Sequence, residues 1–188
     1  MRCAKCGVFS LKFICQNCEQ ILRQISPTKR EINGLKIYSF YAYSEIRPLI
    51  LSKREIWGAF VYKKLAKFSF GAFAKSLKFG EKVAAVAIDV LKDDYSHTAI
   101  LARAMKTDEI SPIFNALRIN SPFKYHGRDL NFRLKHGRNF ELLHEINMPV
   151  ILVDDVVTSG ATLYQASEIC AKFGIDVLFG LTLSDAQN

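Results

Sequence analysis

Two runs in this chain are apolar without a polar partner at alternate positions. Val83-Ala84-Ala85-Val86-Ala87-Ile88 and Val150-Ile151-Leu152-Val153 have the pattern of parallel strands covered on both faces. Residues 34–43 alternate instead and predict a third strand. Residues 112–119 and 176–183 predict two more. Helical spacing fills the gaps: residues 56–77 with an interruption at Gly71, then 96–105, then 163–173. Strands alternating with helices predict an α/β fold whose parallel sheet is flanked by helices and whose ligands sit at the carboxyl ends of the strands. No internal repeat and no low-complexity linker breaks the pattern.

The strand at 150–153 runs into the most informative segment of the chain. It ends on paired carboxylates, Asp154 and Asp155. A small, hydroxyl-rich turn follows (Thr158, Ser159, Gly160, Ala161, Thr162), and then a helix. A strand, loop and helix start in that order surround a concavity with backbone N–H groups and the positive end of a helix dipole, which suits a phosphate monoester. The hydroxyls add donors, Gly160 lets the backbone come close, and the two acids can accept hydrogen bonds from a vicinal diol. The loop has neither the Gly-x-x-x-x-Gly-Lys of a P-loop nor the Gly-x-Gly-x-x-Gly of a dinucleotide fold. The competing reading is a plain strand-turn-helix with a hydroxyl cap; it does not require the acid pair.

The order of these residues resembles the phosphoribosyl-pyrophosphate (PRPP) motif of type I phosphoribosyltransferases. That resemblance implies that Asp154 and Asp155 hold the ribose hydroxyls and residues 158–162 hold the 5′-phosphate.

Four of the five cysteines lie in the first eighteen residues, as Cys3-Ala-Lys-Cys6 and Cys15-Gln-Asn-Cys18. Two Cys-x-x-Cys turns complete a tetrahedral, closed Zn²⁺ site, which is structural because no coordination position stays open. Gly7, just after Cys6, supplies a left-handed position that lets amides face the sulfurs. Redox pairs are the competing reading, but neither Cys-x-x-Cys stands between a strand and a helix as in thioredoxin. Cys170 sits among Ala166, Ile169 and Phe173 and reads as core. Two units are therefore expected: a zinc knuckle over 1–33 and a phosphoribosyltransferase-like domain over 34–188.

Charge adds a partner class. The chain carries 26 Lys and Arg against 18 Asp and Glu, a net charge of +8, and its pI is near 9.3. Nucleic acid or an acidic membrane surface is the matching partner. No stretch approaches about 18 consecutive apolar residues, so no membrane-spanning helix is predicted. The amino terminus lacks the apolar segment of a secretory leader, and a reducing, cytoplasmic location is expected.

Two segments concentrate the charge. Residues 120–139 carry Lys124, Arg128, Arg133, Lys135 and Arg138 against one acid, Asp129. A long, basic, glycine-containing segment between core strands is either a solvated loop or a functional lid. In the phosphoribosyltransferases that the chain resembles, a loop here closes over pyrophosphate, and Lys124, Tyr125 and Arg128 are the candidates. In the second segment, Lys64, Lys67, Lys75 and Lys78 share one arc of a helical wheel, with Tyr62, Ala66, Phe70, Phe73 and Leu77 opposite. An outer helix with a solvated face explains this. Phe60, Phe68 and Phe79 near the lysines equally suit single-stranded nucleic acid or a membrane interface.

Taken in order, a four-cysteine knuckle, a strand, a lysine-rich helix and a PRPP motif make the chain similar to the ComF competence proteins. Tyr43-Ser44-Glu45-Ile46-Arg47-Pro48-Leu49-Ile50 and Thr98-Ala99-Ile100-Leu101-Ala102 are local echoes. The chain departs at Asp94-Tyr95-Ser96-His97, where family members carry Arg-Gly-Phe-Asn. The resemblance implies a role in natural transformation: PRPP and single-stranded DNA as ligands, and DNA-uptake machinery at the inner membrane as partner. It implies a cytoplasmic protein peripheral to that membrane, and no particular reaction. The contrasting expectation is a working phosphoribosyltransferase that uses Mg²⁺ and moves ribose 5-phosphate from PRPP to a base or amine. A third is a regulator that senses PRPP.

Overall fold

In the computed structural model, which describes residues 1–89, 96–120 and 139–187, the two unbroken apolar runs lie side by side at the centre of a seven-stranded sheet. In chain order the elements are α1 (Gln16–Arg23), β1 (Thr28–Ile32), β2 (Leu35–Ala42), α2 (Tyr43–Leu51), α3 (Gly58–Phe68), α4 (Phe70–Ala74) and β3 (Val83–Asp89). Next come α5 (His97–Ala104), β4 (Ile110–Asn120), β5 (Asn139–Leu142), β6 (Val150–Val157), α6 (Ala161–Lys172) and β7 (Val177–Asp185). The strand order is β1-β2-β7-β6-β3-β4-β5. The five inner strands are parallel, and β1 and β5 close the two edges in antiparallel pairing.

Alternation along the central strands divides the core in two. Ala85, Ala87, Ile151, Val153, Leu181 and Leu183 face a layer built from α2 to α5, including Leu49, Leu65, Phe70 and Leu101. Ala84, Val86, Val150 and Leu152 face α6 through Leu163, Ala166 and Cys170. Burial on both faces explains why these strands carry no polar alternation. Burial also pushes the Cys170 thiol up to about 11, as expected of a core cysteine.

The helix expected over 56–77 is two helices. The chain turns at Ser69 (φ −103°, ψ −82°), two residues before Gly71, where the Ser69 hydroxyl donates to the Leu65 carbonyl. Lys64 and Lys67 therefore lie on α3, whereas Lys75 and Lys78 follow α4. Helix α2 contains Pro48 in its second turn, and Tyr43, which reads as the end of a strand by alternation, is its first residue.

The amino-terminal segment packs on the same core. Cys3, Ile14, Cys18 and Leu22 are buried in the layer that covers α3, and the Tyr41 hydroxyl donates to the Leu22 carbonyl at 2.6 Å. Phe13 stacks between Trp57 and Phe60 at centroid distances of 5.7 and 5.6 Å. Lys64 pairs with Glu19 at 2.7 Å, and the Arg23 guanidinium lies 4.3 Å from the centre of the Phe68 ring. Among the described residues, no helix is long and apolar enough to cross a membrane.

Candidate functional site

At its carboxyl end, β6 passes through Asp154 and Asp155 and opens into the loop that starts α6. Gly160 caps that helix in the left-handed region (φ 76°, ψ 0°). The Ala161 amide donates to Ser159 Oγ at 3.4 Å, and the Tyr164 amide donates to the Gly160 carbonyl at 2.9 Å. Asp154, Val157, Thr158, Gly160 and Thr162 line a cavity of about 20 Å³ at the loop. That is close to the space of one water molecule, so a phosphate would sit at its mouth, where first-turn amides and the helix dipole favour an anion. Of the residues predicted for PRPP, Asp154, Thr158, Gly160 and Thr162 thus converge on one concavity, and Ser159 and Ala161 belong to the same loop.

The second carboxylate has different surroundings. Asp155 is 7% exposed and reaches the opposite side of the sheet. One of its oxygens, Oδ2, accepts from Lys53 Nζ at 2.6 Å and from the Tyr62 hydroxyl at 3.3 Å, and lies 3.4 Å from His97 Nε2. Burial alone would raise this carboxyl. The Lys53 ammonium, then His97, and the hydrogen bonds from Lys53 and Tyr62 override burial and hold it below the ordinary value of 3.8. The Asp155 amide donates to Asp154 Oδ1 at 2.8 Å, so the backbone of one acid orients the carboxylate of the other.

A second pair reaches the loop from the sheet edge. Arg30 on β1 holds both oxygens of Asp185 at 2.8 and 3.1 Å and also donates to the Thr158 carbonyl. Asp185 is 2% exposed, so the fork is fixed from below by a buried carboxylate. Ile32, two residues further along β1, sits where a Cβ on Gly160 would stand. Arg30, Ile32, Tyr62 and Asp185 are absent from the sequence reading of this site. Their partners are 93 to 155 residues away along the chain, and Arg30 and Ile32 lie on a strand without a hydrophobic signature.

The four amino-terminal cysteines form one cluster, with all sulfurs within 4.8 Å of one another. Cys6 and Cys15 Sγ are 3.7 Å apart. Tetrahedral Zn–S bonds of about 2.3 Å require an S···S separation of roughly 3.8 Å, so the geometry fits that ion. Gly7 adopts the expected left-handed conformation (φ 74°). Burial opposes ionisation of Cys3, but the amides of Cys15, Cys6 and Lys5 outweigh it and bring the thiol to about 6. Burial, then hydrogen bonds with Cys15, Cys6 and Cys3, pushes Cys18 well above its ordinary range. A cation that replaces those thiol protons resolves the crowding.

The basic candidates separate. Lys64 is engaged with Glu19. Lys67 lines an open groove of about 470 Å³ between α3 and α5, together with Lys63, Ser96, Ile100 and Arg103. Phe60 is 57% exposed, whereas Phe68 is buried and Phe79 packs against the core. Lys124, Tyr125 and Arg128 lie outside the described residues, as do Asp94 and Tyr95.

No protein-family model matches the chain, and no curated protein matches it. Solved structures do. A hypoxanthine phosphoribosyltransferase from Staphylococcus aureus superposes with a TM-score of 0.42 at 16% identity over 66% of this chain, and the chain spans 62% of that enzyme's length. An adenine phosphoribosyltransferase gives 0.42 at 14% identity over 89% of this chain and 88% of its own. An orotate phosphoribosyltransferase from Mycobacterium tuberculosis H37Rv, in complex with Fe(III) dicitrate, gives 0.38 at 17% identity over 89% and 81%.

Proposed function

We propose that this chain is a PRPP-binding protein. The 5′-phosphate lies on residues 158–162, the ribose diol meets the Asp154 carboxylate at the end of β6, and one structural Zn²⁺ is held by Cys3, Cys6, Cys15 and Cys18. The observation that carries the reading is the Gly160-led loop at the start of α6, with Asp154 at its rim. A phosphate cradle beside a diol acceptor is the chemistry a ribose 5-phosphate requires. Mg²⁺, bound with PRPP, would neutralise pyrophosphate oxygens that the loop does not reach. Calorimetric titration with PRPP, ribose 5-phosphate and inorganic phosphate tests this. Both sugar phosphates should bind more tightly than phosphate alone; equal affinity for all three would reduce the site to an anion cradle.

The resemblance to the ComF proteins extends the proposal to DNA uptake, with single-stranded DNA as second ligand and the inner-membrane uptake machinery as partner. The net charge of +8 and the groove bearing Lys63, Lys67 and Arg103 favour it. Binding should tolerate most sequences and weaken as salt rises. Removing charge at Lys64, Lys67, Lys75 and Lys78 should flatten the salt slope. A quadruple variant that binds like wild type at every salt concentration assigns the lysines to a solvated face. The alternative, a working phosphoribosyltransferase, requires base- or amine-dependent pyrophosphate release from PRPP, and a screen of acceptors with Mg²⁺ decides it.

A further inference from the structure

Asp154 and Asp155 are adjacent in the chain and opposite in their surroundings. We infer that they have different tasks. Asp154 meets the ligand, and Asp155 with Lys53 forms a positioning pair that aims it; the inference rests on the PRPP reading above. Three observations carry it. Asp154 lines the loop cavity on the α6 side, whereas Asp155 is buried on the side of α3 and α5. Oδ2 of Asp155 is already shared among Lys53, Tyr62 and His97, so turning that buried carboxylate to a ligand would break its pair with the half-buried Lys53 ammonium. The Asp155 amide donates to Asp154 Oδ1. A clamp on the Asp155 side chain therefore fixes the donor that orients the ligand-facing carboxylate.

Lys53 suits this task because its own backbone is fixed. It lies in a single 3₁₀ turn, Ser52–Arg54, between α2 and α3. The Ser52 hydroxyl donates to the Leu49 carbonyl at 2.6 Å, and the Glu55 amide closes on the Ser52 carbonyl at 2.8 Å. The chain of contact runs from this turn through the Lys53 ammonium and the Asp155 carboxylate and amide to the Asp154 carboxylate.

The test is calorimetric titration of PRPP with Mg²⁺ into the full chain and into Asp154→Asn, Asp155→Asn, Lys53→Met, Lys53→Arg and Lys53→Met/Asp155→Asn, with melting temperatures alongside. Asp154→Asn should lose about tenfold or more in affinity and keep its melting temperature. Asp155→Asn should stay within about threefold of wild type, because the amide oxygen still accepts from Lys53. Lys53→Met should weaken binding by about tenfold, Lys53→Arg should restore it, and removing the stranded charge in the double variant should recover affinity relative to Lys53→Met. A purely structural loss at Lys53 would show no such recovery. Equal losses in Asp154→Asn and Asp155→Asn, or wild-type affinity in Lys53→Met, overturn the division of tasks while leaving the PRPP reading in place. A wild-type chain that binds no PRPP overturns both. Should Lys53→Met prove too unstable to titrate, the comparison of the two asparagine variants decides alone.

Discussion

Alanine at position 160 probes how rigidly the loop is held. Gly160 has φ 76°, and a left-handed backbone costs a residue with a Cβ about 1–2 kcal/mol. The new methyl would also collide with Ile32 Cδ1. That atom is the free end of a side chain, so a rotamer change clears it at about 1 kcal/mol, the low end of overpacking penalties. The sum is about 2–3 kcal/mol. With a urea slope of roughly 2 kcal/mol per molar, the unfolding midpoint should fall by about 1–1.5 M. PRPP affinity should fall as well, because relaxation of the loop moves the amides that face the phosphate. Ile32→Val removes only Cδ1, so Gly160→Ala/Ile32→Val should recover the steric part and not the backbone part. A Gly160→Ala midpoint equal to wild type would show that the loop is not held as described. Full recovery in the double variant would refute the backbone argument.

Other outcomes follow from the same structure. Elemental analysis should find one zinc per chain, and chelation should alter the fluorescence of Trp57, the single tryptophan, because Phe13 of the knuckle stacks on it; unchanged emission after complete zinc loss would contradict that coupling. The Asp155 carboxyl is held below its unfolded value of 3.8, so its stabilisation is complete above that value and is lost as pH falls through the lower folded one. The difference in urea midpoint between wild type and Asp155→Asn should therefore hold steady down to about pH 5 and shrink below it, and a difference that stays constant on further acidification would refute the ionic account. Ser184 Oγ is buried and has no hydrogen-bond partner among the described residues. Since an unpaired buried hydroxyl costs about 1–3 kcal/mol, Ser184→Ala should be neutral or stabilising in thermal melts, and a clear loss would mean the hydroxyl has a partner.

What could be read in the sequence, and what could not, divides by range of interaction. The runs at 83–88 and 150–153 are unbroken because both faces of their strands are covered, and that is a local signal. The loop at 158–162 is equally local, since hydroxyls, glycine and helix start fall within a few residues. By contrast, β1 reads Thr-Lys-Arg-Glu-Ile, an edge strand with three exposed positions and no hydrophobic period. Helix α2 is masked by Pro48 and by the alternation that precedes it. The Lys53–Asp155 pair spans 102 residues, and no pattern within one element announces it. Hence the order of acid pair, loop and helix start was visible, but the unequal surroundings of Asp154 and Asp155 were not.

Strand β1 also bears on how this protein meets copies of itself. Among the described residues it is the last strand on its side of the sheet, and the outer backbone groups of such an edge are a template for another chain. Five residues are too few for a long template, and Lys29, Arg30 and Glu31 at its centre must shed water before a foreign strand can pair there. The same Arg30 is tied inward to Asp185 and Thr158, so an invading strand would have to compete with the loop that opens α6 for it. Keeping the loop in place and keeping the sheet at seven strands thus draw on one side chain, and substitutions at Arg30 should be read for self-association as well as for binding.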